Sequence, residues 1–150
     1  MTIRCAIIDD DALAINILKS YIDKTNGLEL AFAIENPLEG EKLLLENKIN
    51  LLFLDVEMPQ LTGLEFLHSI SYPPKVIITS AKKEYAAEGF DLEVLDYIVK
   101  PVTFQRFSKS IKKYFSAIGL EGNELIQTPS SDSDFIFFKE NNKMVKVSLN

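Results

Sequence analysis

Four places along the chain carry side chains suited to chemistry: the acidic run Asp9-Asp10-Asp11, the single acid Asp55, the hydroxyl pair Thr79-Ser80, and Lys100-Pro101. Each follows directly on an apolar run, which puts all four at the ends of prospective strands. Two carboxylates about 4 Å apart repel by roughly 4 kcal/mol at an effective dielectric of 20. Bringing Asp9 or Asp10 together with Asp55 therefore requires a cation or a proton between them. A few hard oxygen ligands, with room left for water and phosphate, suit Mg²⁺ better than zinc. A lysine nearby would neutralise a phosphoryl oxygen, and a cis bond at Pro101 would aim it. Asp9–Asp11 taken alone would serve equally well as a helix cap. Asp55, at the matching end of a neighbouring central strand, is what favours the cation site.

The positioning elements follow from periodicity. Ile3–Ile8, apolar but for Arg4, reads as a strand covered on both faces. From Asp11 to Lys24 the spacing changes to Leu13, Ile17, Tyr21 with Ala14, Leu18, Ile22, an amphipathic helix that Asn26-Gly27 should end. Strands are then expected at Leu28–Ala33, Asn50–Leu54, Lys75–Thr79 and Asp96–Val99. Helices are expected at Pro37–Glu46, Gly63–Ile70, Lys83–Phe90 and Thr103–Ile118. Five strand-helix units imply a doubly wound parallel α/β sheet, flavodoxin-like in the order 2-1-3-4-5, with helices on both faces. In that order the ligand crevice lies at the carboxyl ends of the first and third strands.

Beyond residue 118 the texture changes. Residues 119–134 have the Gly, Ser, Asn, Asp and Pro content of a linker. Phe135–Lys139 and Met144–Leu149 then read as one C-terminal hairpin, around Glu140-Asn141-Asn142-Lys143.

Composition narrows the class. Of 150 residues 47% are apolar and 25% charged, enough for one core without staples. The net charge of −6 is the wrong field for unaided nucleic-acid binding. Cys5, the single cysteine, sits in an apolar run as a buried, inert thiol. With no leader pattern ahead of the first strand, and no apolar run near 20 residues, a cytoplasmic protein with no membrane association is expected.

The pieces Ile7-Ile8-Asp9-Asp10, Leu54-Asp55-Val56-Glu57-Met58-Pro59 with Gly63, Thr79-Ser80-Ala81, and Asp96-Tyr97-Ile98-Val99-Lys100-Pro101 together resemble a response-regulator receiver domain over residues 1–118. The resemblance implies a non-enzymatic phosphoacceptor module in which Asp55 takes a phosphoryl group from a sensor histidine kinase. It further implies that Asp10 binds Mg²⁺ directly, Asp9 through water, and Glu57 through its backbone carbonyl. Ser80 and Lys100 match the phosphate-binding positions, and Tyr97 the switch aromatic that turns inward; Thr79 is the weaker match. Homodimerisation on phosphorylation is implied, through the face formed by Lys83–Phe90, Asp96–Val99 and Thr103–Ile118. Tyr85–Phe90 with Leu95-Asp96-Tyr97 resembles receivers that precede LytTR-type DNA-binding domains. Residues 135–150 resemble only the start of such a domain, so DNA contact would need its remainder.

Other classes fit less well. A haloacid-dehalogenase phosphatase resembles an Asp-x-Asp-x-Thr signature, whereas this chain has Asp55-Val56-Glu57-Met58-Pro59. A nucleotide-binding domain would need a Gly-rich turn after the first strand, where three aspartates stand instead. A phosphate-independent interaction module would leave the complete acidic set without purpose. His68 reads as a surface residue, and Phe104, Phe107, Ile111 and Phe115 as core.

Overall fold

In the computed structural model, residues 2–71, 73–83 and 93–119 are described. The apolar runs become β1 (Ile3–Ile8), β2 (Leu28–Ile34), β3 (Leu51–Asp55), β4 (Lys75–Ser80) and β5 (Asp96–Val99). All neighbouring pairs are parallel, in the order β2-β1-β3-β4-β5. That is the flavodoxin-like order the sequence calls for. The helices are α1 (Ala12–Asp23), α2 (Gly40–Asn47), α3 (Gly63–Ser69) and α4 (Phe104–Ala117). Pro37–Glu39 forms a 3₁₀ turn ahead of α2, so the expected single helix from Pro37 has a tighter first turn. The predicted helix over Lys83–Phe90 and the hairpin at 135–149 lie outside the described residues, apart from Lys83 itself.

Side chains alternate across the sheet. Cys5, Ile7, Phe53, Ile77 and Ile98 face α1 and α4, while Ala6, Ile8, Leu52, Leu54 and Ile78 face α2 and α3. Phe107, Ile111 and Phe115 are buried in the first layer, with Phe107 stacked on Phe53 at 5.5 Å between centroids. Truncating such a ring costs about 3–5 kcal/mol, so α4 is fixed to the sheet by this stripe. Cys5 is fully enclosed, and burial, aided by the Glu29 charge, pushes its thiol up to about 12. It is inert, as expected of its position.

One boundary differs from the sequence expectation. Helix α1 stops at Lys24, a right-handed cap at φ −87°, before Asn26-Gly27 is reached. Gly27, at φ +90°, instead shapes the turn into β2, and its carbonyl accepts from Ile3 N at 2.7 Å. The glycine is needed for its left-handed backbone, but in the turn rather than at the helix end.

Candidate functional site

The parallel sheet delivers Asp9, Asp55, Ser80 and Lys100 to one edge. Asp9 follows β1 and is pinned by its N–H to Ile34 O at 3.1 Å. Its Oδ1 accepts from Asp11 N at 2.9 Å, and Asp11 in turn caps α1 by accepting from Leu13 N at 3.0 Å. Capping and site-building thus fall to different members of one acidic run. Asp55 ends β3 in register with Thr79 of β4. Behind it the chain turns back so closely that Gly63 N donates to Val56 O at 2.9 Å. A Cβ on Gly63 would lie 2.3 Å from the Asp55 carbonyl oxygen, so only glycine lets α3 begin there. A Thr62–Glu65 capping box opens that helix.

Lys100 is held by its own N–H to Ser80 O at 2.7 Å, and the Lys100–Pro101 bond is cis. Its ammonium lies 3.1 Å from Asp9 Oδ2 and 3.4 Å from Asp55 Oδ1. Asp9, Asp10 and Asp55 each present an oxygen within 4.8 Å of the others. Asp9 and Asp55 are almost wholly buried, at 1% and 2% exposed, whereas Asp10 is open to solvent.

Burial first, then the neighbouring Asp9 charge, pushes the Asp55 carboxyl up to about 7, although Lys100 and the Glu57 N–H oppose the shift. Burial also raises Asp9. For Lys100, burial would lower the ammonium, but the two carboxylates outweigh it and the net direction is upward. One lysine is too little for two buried acids. Asp9 Oδ2 faces that ammonium without hydrogen-bond geometry and has no hydrogen-bond partner among the described residues. A compact trio of carboxylates, one of them solvent-exposed and one with an oxygen left over, fits a hard divalent cation that keeps some water.

The remaining predicted residues gather around this centre. Glu57 N donates to Asp55 Oδ1 at 3.3 Å. Ser80 is fully buried, and its hydroxyl meets Glu57 Oε1 at 3.4 Å. Thr79 is also buried, with its hydroxyl unpartnered among the described residues. The Tyr97 ring is 8% exposed and its hydroxyl donates to Lys82 O. The ring packs in the layer with Ile78 and Val76. His68 is exposed on α3, away from this set.

Two features escaped the sequence reading. One is the Glu57 side chain, valued there only for its backbone. The other is Asp96, whose carboxylate binds Arg106 at 2.9 and 3.0 Å, Lys113 at 3.0 Å and the Ser110 hydroxyl. Residues 106, 110 and 113 share one helical face, a polar stripe beside the buried Phe107, Ile111 and Tyr114. That stripe, opposite a strand that opens with an acid, was the available signal.

The sequence profile described as "Response regulator receiver domain" matches residues 5–112. The chain belongs to that family. The receiver domain is 33% identical over 113 residues to the transcriptional regulatory protein LytR of Staphylococcus aureus, covering 73% of this chain and 46% of the relative. It is 31% identical over 118 residues to the sensory transduction protein LytT of Bacillus anthracis, covering 75% of this chain and 47% of the relative. The crystal structure of the response regulatory domain of protein mrkE from Klebsiella pneumoniae aligns with a TM-score of 0.70 at 30% identity. That alignment covers 77% of this chain and 97% of the other. The chain spans about half the length of the curated relatives it matches.

Proposed function

We propose that Asp55 accepts a phosphoryl group from the phosphohistidine of a sensor kinase, and that the modified domain controls a transcriptional output. The observation carrying this reading is the convergence of Asp9, Asp10, Asp55 and Lys100 on one edge, with too little positive charge for the buried acids. Asp9, Asp10, Asp55 and the Glu57 carbonyl would hold Mg²⁺. When bound, the ion stabilises negative charge on the transferring oxygens.

The protein groups do the positioning. A carboxylate oxygen of Asp55 forms the bond to phosphorus while the phosphorus–nitrogen bond to the imidazole breaks. The imidazole leaves with that electron pair and takes a proton from solvent. Burial favours the protonated, unreactive carboxyl, so positive charge must keep Asp55 ionised. Lys100, 3.4 Å away, supplies part of it and remains to neutralise a phosphoryl oxygen after transfer. Ser80 offers a hydroxyl at the same edge.

The output is a coarser inference from the company the chain keeps. The names LytR and LytT support a LytTR-type regulator, with 1–118 the receiver, 119–134 a linker and 135–150 the opening of the DNA-binding domain. Homodimerisation on phosphorylation belongs to the same proposal. No helix among the described residues is long and apolar enough to cross a membrane. The deciding experiment is intact-mass analysis after treatment with acetyl phosphate, with and without Mg²⁺. Labelling should require Mg²⁺ and vanish in Asp55→Asn; undiminished labelling of that variant would refute the assignment.

A further inference from the structure

The Glu57 side chain stands outside the carboxylate trio and is about one-third exposed. Its contacts nonetheless lead inward. Oε1 accepts from the Ser80 hydroxyl at 3.4 Å and from Ala81 N at 3.3 Å, while Oε2 lies 3.8 Å from Lys82 Nζ. The same short turn is gripped from its far side. Lys82 N donates to Ser80 Oγ at 2.9 Å, and Lys82 O accepts the Tyr97 hydroxyl. Residues 80–82 therefore lie between an anion at the site and an aromatic in the core.

We infer that the Glu57 carboxylate is an internal stand-in for the phosphoryl group, occupying the Ser80 and Ala81 donors in the unmodified protein and latching the 80–82 turn in place. The inference rests on Asp55 being the phosphoacceptor. Two donors converging on one oxygen, one residue past the register partner of Asp55, form an anion-binding pair. Both contacts are long for hydrogen bonds to a charged acceptor, which normally close to 2.7–2.9 Å, so the grip is loose. A phosphoryl group carries about −1.5 to −2 charge and three strong acceptor oxygens. Placed on Asp55, two residues away, it competes for the same donors and repels the glutamate. Glu57 must then swing out. The exposed Lys82 ion pair contributes little stability and serves mainly to aim the carboxylate. Because the Lys82 backbone bonds both Ser80 and Tyr97, releasing the latch moves the turn and the aromatic together.

The test uses the full 150-residue chain with acetyl phosphate and Mg²⁺. Glu57→Ala should label at Asp55 about fivefold to tenfold faster than wild type, with Glu57→Gln in between because it keeps the acceptor and drops the charge. Without any phosphodonor, the Ala81 amide resonance in Glu57→Ala should shift toward its position in beryllofluoride-treated wild type. Labelling no faster than wild type, or an unmoved Ala81 amide, would overturn the latch. So would slower labelling with weaker Mg²⁺ binding by calorimetry, which would make the side chain a cation ligand. If wild type itself takes no label, the phosphoacceptor reading fails and this inference with it. If wild type labels and Glu57→Ala does not exceed it, only the inference fails.

Discussion

Asp55 and Asp96 are equally buried, at 2% and 3% exposed, yet their carboxyls move in opposite directions. Burial would raise both. Asp96 is held well below the usual carboxylate range because Arg106, Ser110 and Lys113 all bond it, as does Tyr97 N. Asp55 shares the Lys100 ammonium with Asp9 and stays high. One region has two cations for one acid; the other has one cation for two. Asp96 opens β5 and Lys100 follows its last residue, about 13 Å further along by strand rise. Burial alone therefore does not set the direction in which a buried carboxylate shifts. The ratio of donors to acids does.

The largest test of that contrast is Asp96→Ala, which leaves Arg106 and Lys113 without their acid and should cost about 3–5 kcal/mol in urea unfolding. Asp55→Asn should move the other way, gaining about 1–2 kcal/mol at pH 8 without Mg²⁺, because it removes an under-compensated buried charge. A loss of stability in that variant would collapse the distinction. Mg²⁺ at ten times its dissociation constant should stabilise wild type by about 1.4 kcal/mol, and Asp55→Asn by much less, measured as shifts in thermal midpoint.

The smallest effect is in pH. Since the folded Asp55 carboxyl is raised to about 7, the native state binds a proton there that the unfolded chain does not. In Mg²⁺-free buffer its contribution should therefore rise as pH falls, by about 1 kcal/mol from pH 8 to 6, and be missing from Asp55→Asn. Asp96 has the opposite sign. Its lowered carboxyl contributes fully above about pH 4, and that contribution is lost as acidification proceeds below it. Urea midpoints against pH for both variants would separate the two slopes.

The sheet and the site edge were legible because short apolar runs bounded by turn residues fit strands covered on both faces, and four of the five ended in a side chain suited to chemistry. The core stripe Phe107, Ile111, Phe115 was legible for the same reason: helical spacing leaves one face to bury. Where α1 ends was not. The chain leaves the helix at Lys24 in an ordinary right-handed conformation, so no residue there announces a stop. Glu57 and Asp96 were harder, because both depend on partners far along the chain. Ser80 and Ala81 reach Glu57 from another strand end, and Arg106 reaches Asp96 from a helix face that sequence pattern alone assigns to solvent.

Helix α4 begins beside Lys100 and carries Lys113 down to Asp96 at the opposite edge of the sheet. Its 14 residues cover about 21 Å, so Gly119 leaves the domain well over a Debye length, about 8 Å at physiological salt, from the Asp55 edge. Through solvent, the field of a charge placed on Asp55 is screened before it arrives there. On the proposed function, residues beyond Gly119 would sense a modified Asp55 through displacement of packed side chains. Ionic strength should then tune how readily the site loads, while leaving unchanged how far its state is felt.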